Sequence, residues 1–222
     1  MTQRVAPTIS PPDRATAVRS RNLIRENYIL AGKKPQLIMR RPHLRDLPAA
    51  EVPAGYVLRH FRPGDEAGWN GLMDLAFERQ QGQSDFTREI AAEAPYRAER
   101  VKLVLDDEGT IVATASCWLT ERFGDSTTML HLVGTDPAHG GKRLGTAVSL
   151  EALHQGAGEG QARAMLLTDD FRVAALKTYL RLQFEPVIAH RSHAKRWRKI
   201  LDSLCWSERF EHILSGPRES FE

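Results

Sequence analysis

The chain is poor in cysteine. Cys117 and Cys205 lie far apart and form no CxxC pair, which excludes a disulfide-stapled scaffold and a cysteine zinc site. The expectation is two free thiols in a reducing, cytoplasmic setting. Long apolar runs are also missing. The purely apolar stretches are a few residues long, such as Ile111, Val112 and Ala113, whereas a membrane-spanning helix needs about 20. The N-terminus carries charge without the apolar stretch of about 7–15 residues that a secretory signal requires. Its Arg, Ser and Thr content suits a transit peptide, but Pro11 and Pro12 interrupt any amphipathic start. Charge of one sign is nearly balanced: 31 basic against 28 acidic residues give a formal +3, with a pI near 9.0. That excess is too small to announce a nucleic-acid binder. Neither nucleic acid nor membrane is an expected partner, and no internal repeat is evident.

What remains is an ordinary globular composition, 41% hydrophobic and 27% charged over 222 residues, enough for one domain with extensions. The basic excess is concentrated at the start. Residues 1–46 hold ten Lys or Arg, including Arg40, Arg41 and Arg45, against Asp13, Glu26 and Asp46. The expected organisation is a basic, proline-containing extension over 1–50, a domain over 51–204 and a tail over 205–222. In the extension, Asp13 caps a helix ending near Ala31, and Pro35, Pro42, Pro48 and Pro53 mark an extended connector. Because this arm carries few apolar side chains, it is expected to pack on the domain edge or on a second copy in a homodimer. A chain beginning near Val52 should therefore still fold and bind its ligand.

Within the domain, residues 56–62 read as a strand. Asp65 reads as the cap of a helix that spaces Trp69, Leu72, Met73 and Ala76 on one face. A second helix fits 84–95. Val101, Leu103 and Leu105 alternate, and Asp106-Asp107-Glu108-Gly109 then turns the chain into the apolar run from Ile111, which is a hairpin pattern. Strands follow at 127–135, 162–168 and 184–189, with helices at 142–155, 171–182 and 192–204. The last helix packs Trp197 and leaves its basic residues in solvent. The fold class is mixed α/β with a mainly antiparallel sheet and flanking helices, not a strict alternating βαβ array.

The segment carrying most chemistry is His131-Leu132-Val133-Gly134-Thr135-Asp136-Pro137-Ala138-His139-Gly140-Gly141-Lys142-Arg143-Leu144-Gly145-Thr146. A strand, a proline break and a glycine loop lead into a helix start. The free N–H groups and partial positive charge of such a start bind anions, and glycine lets a phosphate approach the backbone. A plain strand-to-helix turn is the alternative. A Walker loop does not fit, because Arg143 follows Gly141-Lys142 and Asp136 holds the place of the first glycine. Gly156, Gly158 and Gly160 have the wrong spacing for a dinucleotide fingerprint and precede a strand.

This segment resembles the acyl-CoA pyrophosphate loop of the GCN5-related N-acetyltransferases, roughly V-x-P-x-x-R/Q-G-x-G-x-G/A. A second block, from Thr168 through Asp169, Asp170, Phe171, Arg172, Ala175 and Tyr179 to Gln183-Phe184, resembles the family's N-x-x-A-x-x-x-Y-x-x-x-G-F ending. Gly141, Gly145, Ala175, Tyr179 and Phe184 match. Gly140 replaces Arg or Gln, Arg143 replaces a glycine, Arg172 replaces Asn and Gln183 replaces Gly. The resemblance covers about residues 55–200.

The resemblance implies transfer of an acetyl group from acetyl-CoA, without a metal, to a primary amine of a small molecule or peptide. Val133 and Thr135 would hold the pantetheine arm through their backbone. Gly140, Gly141, Lys142, Arg143, Gly145, Thr146 and Arg172 would bind the rest of the cofactor. Arg143 either adds a phosphate contact or fills the space the missing glycine leaves. Tyr179 would protonate the departing thiolate, with a phenol near 10 roughly matched to a thiol near 8.5; otherwise it is a packing residue. His131 is the candidate base, ahead of Glu78 and Glu121, while Asp169 and Asp170 fit as helix caps. His190 and His193 lack a third partner at ligand spacing. Acceptor residues are expected in 67–95 and in the turn at 122–127. The rival reading is a non-catalytic acyl-CoA-binding or regulatory module of the same fold, with its basic arm on an acidic partner.

Overall fold

The computed structural model describes residues 34–220; the helix expected over 13–31 lies outside them. The fold is arranged around a strand with no face turned to water. β4 (Ile111–Leu119) has eight of its nine residues buried, because its Val, Ala, Cys and Trp side chains are covered on both sides. β3 (Val101–Leu105) joins it through the expected hairpin, where the Asp106 carboxylate accepts from Thr110 N at 2.8 Å and Glu108 N at 3.1 Å. β2 (Val57–His60) lies at the edge beyond β3, and β5 (Thr127–Thr135) pairs on the other side of β4.

Helix α1 (Glu66–Ala76) covers one face of this arm with Trp69, Leu72 and Met73. Asp65 precedes it but does not cap it by its side chain. The carboxylate instead accepts from Arg59 at 2.6 and 2.8 Å and from Arg62 N at 2.7 Å, and these donors hold its pKa below the usual value. The helix expected over 84–95 shrinks to one π turn (Thr87–Ala91). On the opposite face lies α2 (Leu144–Gly158), buried along Leu144, Ala147, Val148, Leu150 and Leu153. β6 (Arg163–Thr168), α3 (Val173–Arg181), β7 (Glu185–Val187), α4 (His193–Ser203) and α5 (Ser207–Leu214) complete the chain order. Trp197 is fully buried in α4, whereas Lys195, Arg198 and Lys199 are exposed, as the sequence pattern implies.

Two expected boundaries need correction. Residues 35–55 are not a bare connector: β1 (Leu37–Arg41) is inserted between β6 and β7 and pairs antiparallel with both, giving the order β2-β3-β4-β5-β6-β1-β7. Leu37 and Met39 are fully buried in the main core, and Ile38 packs on the other face with Met165 and Val187. The prolines that suggested a connector flank the strand, where a missing N–H costs no ladder bond. The second correction concerns the expected tail. Within it, α5 delivers Phe210 and Leu214 to the main core.

β1 also brings a buried cation. Arg41 is 2% exposed and donates through Nη1 to the carbonyl of Leu182, just past the end of α3. A helix C-terminus favours positive charge, but burial still lowers the guanidinium pKa. Its Nε and Nη2 have no partner among the described residues.

Deleting residues 1–51 should therefore be destructive, contrary to the expectation from composition. It strips β1 from two neighbours and removes two fully buried side chains, each worth about 1.5–3 kcal/mol. The expected result is an insoluble chain or one without a cooperative melt by circular dichroism. A soluble chain from Val52 that melts like the full-length protein would show β1 to be dispensable.

Candidate active site

The site is organised by the place where the sheet divides. β5 runs parallel to β6, but the two pair only at Thr127–Arg163, Thr128–Ala164 and Met129–Met165. Beyond Met129 no other strand pairs with that edge of β5 among the described residues, so a cleft opens between the arms. A bulge accompanies the opening. Leu132 has φ +48°, and the β4–β5 register shifts between Thr114 and Ser116. Thr128 and Leu130 face the α2 side, whereas Leu132 packs in the α1 cluster; Val133 then returns to the main core. The bulge thus turns His131 and Leu132 to the same face and resets the alternation. Val133 and Thr135 lie on the strand portion that borders the cleft.

The glycine loop follows directly. Asp136 N donates to Val112 O, and the Asp136 carboxylate accepts from Ala138 N, both at 2.8 Å. A short 3-10 turn (Pro137–His139) then leads to Gly140, Gly141, Lys142 and Arg143, all exposed. Gly141 has φ +79° with open space where a Cβ would project. Arg143 precedes α2 in the left-handed conformation, φ +60° and ψ +17°. The backbone therefore keeps the form suited to glycine and carries a strain of about 1–2 kcal/mol, while the arginine side chain lies outward. Gly145 fixes the approach of α2 to the strand: a Cβ there would sit 2.9 Å from Thr135 Oγ1. Thr146 is half-buried on the next position of the first turn.

Lys142 has a partner that the sequence did not signal. Its ammonium donates to the Tyr56 hydroxyl and lies 5.1 Å from that ring's centroid. The Tyr56 hydroxyl is 2.9 Å from His139 Nδ1, and His139 Nε2 is 4.0 Å from Asp106. Only the tertiary fold brings Tyr56 and Asp106 to His139 and Lys142 of the glycine loop, since the three segments are far apart in the chain.

Tyr179 lies on α3, 6% exposed, with its ring edge-on to Phe184 at 6.0 Å. Burial raises its pKa to about 12, and the nearby Arg172 charge opposes that rise. The near-match to a thiol expected for a free phenol is thus lost. His131 lies against Trp118, with ring centroids 5.4 Å apart. Burial lowers its pKa to about 4, so it stays neutral at pH 7 and is a weak base. The structure does not favour it over water as the proton acceptor. Arg172 caps the start of α3 with its backbone, and its guanidinium centre is 4.2 Å from the centroid of Phe77. The guanidinium also lies 5.4 Å from the centroid of Phe171, and its Nε is 3.8 Å from Asp169 Oδ2.

The remaining candidates are placed elsewhere. Glu78 is exposed after α1, and Glu121 is exposed at the opposite end of β4 from the loop. Asp169 and Asp170 do not cap α3 as expected. Asp169 accepts from Gln36 Nε2 at 3.2 Å, and Asp170 takes Arg196 Nε at 2.9 and 3.1 Å.

Two outcomes test this geometry. Gly145→Ala should force Thr135 and α2 apart, costing about 1–3 kcal/mol, and Thr135→Ala should restore much of the loss in the double variant; thermal melts read both. His131 is neutral in the folded protein down to about pH 4 but protonates near 6.5 when unfolded. The unfolded chain binds the extra proton in that window, so His131 makes stability fall as pH drops from 6.5 to 4. His131→Phe should flatten that portion of the stability–pH curve; an unchanged slope would place the titration elsewhere.

Comparison with known proteins agrees with this geometry. The acetyltransferase (GNAT) family matches residues 69–184. A mycothiol acetyltransferase of Mycobacteroides abscessus is 30% identical over 177 residues, 75% of this chain and 60% of that protein. Another, from Thermobispora bispora, is 32% identical over 66% of this chain and 52% of its own length. The chain thus spans about half to three-fifths of these relatives. A solved GCN5-related N-acetyltransferase from Sphaerobacter thermophilus shares the fold at TM-score 0.54 and 22% identity, over 78% of this chain and 54% of that one. A tandem GNAT protein from the clavulanic acid biosynthesis pathway gives 0.52 and 17%, over 69% and 51%. With a divided sheet, a bulged strand and a glycine loop entering a helix, matched over more than half its length, the chain belongs to the acetyltransferase (GNAT) family.

Proposed function

We propose that the protein is an acetyl-CoA-dependent N-acetyltransferase acting on a primary amine of a small molecule. The observation that carries this reading is the alignment of the cleft with the loop: β5 leaves β6 after Met129 and ends at the N-terminus of α2. A long, thin substrate with an anionic end fits that course. The backbone edge of β5 around Val133 and Thr135 offers hydrogen bonds to the amide-containing arm. The loop of Gly140, Gly141, Lys142 and Arg143, with the first turn of α2 at Gly145 and Thr146, offers N–H groups and positive charge to the pyrophosphate.

At the other end of the cleft, Tyr179 is protonated at any physiological pH and is the proton donor to the departing thiolate. The acceptor enters on the α1 face, between residues 67–95 and the 122–127 turn. There Trp118, Met129, His131 and Leu132 make an apolar floor. A neutral amine is favoured on such a floor, since an ammonium would lose its hydration there; the Glu89 carboxylate, whose charge raises the His131 pKa against burial, opposes that preference. The relatives are named for mycothiol, which places mycothiol-type molecules first among acceptors to screen.

Differential scanning with acetyl-CoA tests the first step. At 100 times Kd the native state gains about 2.7 kcal/mol, a shift of a few degrees. An amine screen with free-thiol detection tests the second. No shift at millimolar acetyl-CoA would leave the non-catalytic module as the reading. For the acid, Tyr179→Phe keeps the ring and removes the hydroxyl. The expected result is a turnover lower by about 10²–10⁴-fold with little change in acetyl-CoA affinity; unchanged turnover would make Tyr179 a packing residue.

A further inference from the structure

The glycine turn ahead of α2 is closed by a side chain from outside it. The Tyr56 hydroxyl bonds the Lys142 ammonium and lies 2.9 Å from His139 Nδ1. These two residues flank Gly140 and Gly141, so one oxygen ties both ends of the glycine pair. An ammonium can only donate. The phenol oxygen therefore accepts from Lys142, and its own proton goes to His139 Nδ1. The other imidazole hydrogen is then on Nε2, 4.0 Å from Asp106 Oδ2. The ring adds to the tie: Lys142 Nζ lies 5.1 Å from its centroid, and the His139 ring meets it edge-on at 5.8 Å.

The anchors are fixed independently of the turn. Tyr56 directly precedes β2, packs partly on the main core and donates its N–H to Pro53 O at 3.2 Å. Asp106 is the carboxylate that organises the β3–β4 turn.

The turn needs such an anchor. Gly140 and Gly141 are both exposed, and Gly140 stands where the family pattern has Arg or Gln. Glycine has the most backbone freedom to lose. The turn must also keep two left-handed residues, Gly141 at φ +79° and Arg143 at φ +60°. A glycine pair without a tie samples many shapes, and few of them converge N–H groups on a pyrophosphate. Affinity falls by the fraction of chains in the competent shape.

We infer that Tyr56 is a positioning residue of the cofactor loop: its hydroxyl, shared between His139 and Lys142, clamps the Gly140–Gly141 turn in the shape that receives the pyrophosphate of CoA. The inference rests on the acetyltransferase reading above.

The test uses CoA, so it needs no knowledge of the acceptor. Tyr56→Phe keeps the ring and removes the clamp. Its CoA dissociation constant by calorimetry should rise about threefold to tenfold, the worth of a hydrogen bond or two. In the ligand-free protein, amide exchange of peptides spanning 139–146 should quicken while the rest of the domain keeps its protection. His139→Leu cuts one of the two ties and should show a smaller loss; it also serves if Tyr56→Phe does not fold. His139→Asn, which keeps an acceptor near the Nδ1 position, should restore most of the affinity. Tyr56→Phe and Lys142→Met share a tie, so the double variant should lose less than the product of the two single losses. CoA affinity unchanged in Tyr56→Phe, with wild-type binding intact, overturns this inference alone. So does loop exchange unchanged from wild type, or losses that simply multiply. Wild-type protein that binds no CoA overturns the acetyltransferase reading and this inference together.

Discussion

The separation of β5 from β6 after three paired residues is the constraint on which the site depends. Parallel strands normally continue their ladder, because an unpaired backbone edge in the interior is costly. Here the bulge at Leu132 releases that edge and re-aims the side chains around it. The released edge borders the cleft, and the same strand ends where α2 begins. Close contact between Thr135 and Gly145 then fixes the helix start against the strand end. Cleft, loop and helix N-terminus are consequences of one local break in pairing.

A divided sheet must still close its second arm. β6 and β7 do not pair with each other; β1 lies between them and completes both ladders. The strand's charged end enters the core with it, and Arg41 is held at the carbonyl end of α3. A buried guanidinium with a single carbonyl partner among the described residues is a costly arrangement. The burial of Leu37 and Met39 beside it offsets that cost.

Burial also shifts the acidities of Tyr179 and His131. The Tyr179 phenol is raised to about 12 and stays protonated, and the His131 imidazole, half-buried against Trp118, is lowered to about 4 and stays neutral. At the glycine turn, the Tyr56 hydroxyl accepts from Lys142 and lies 2.9 Å from His139 Nδ1.

Much of this was legible in the residues. The alternation of Val101, Leu103 and Leu105 and the Asp106–Gly109 turn specify the β3–β4 hairpin locally. The helical spacing of Trp69, Leu72 and Met73 specifies α1. The glycine loop and the Ala175–Tyr179 block identify the family, because their spacing reflects backbone needs that survive substitution: Arg143 keeps the glycine-like conformation. The sequence did not disclose β1, whose ladder hydrogen bonds come from β6 and β7, far along the chain. Nor did it disclose the shifted acidities of Tyr179 and His131, the Tyr56–Lys142 contact or the seat of Arg172 on Phe77. Local pattern determines which elements form. Solvent exclusion and charge between distant segments exist only after packing, so the tertiary structure alone decided them.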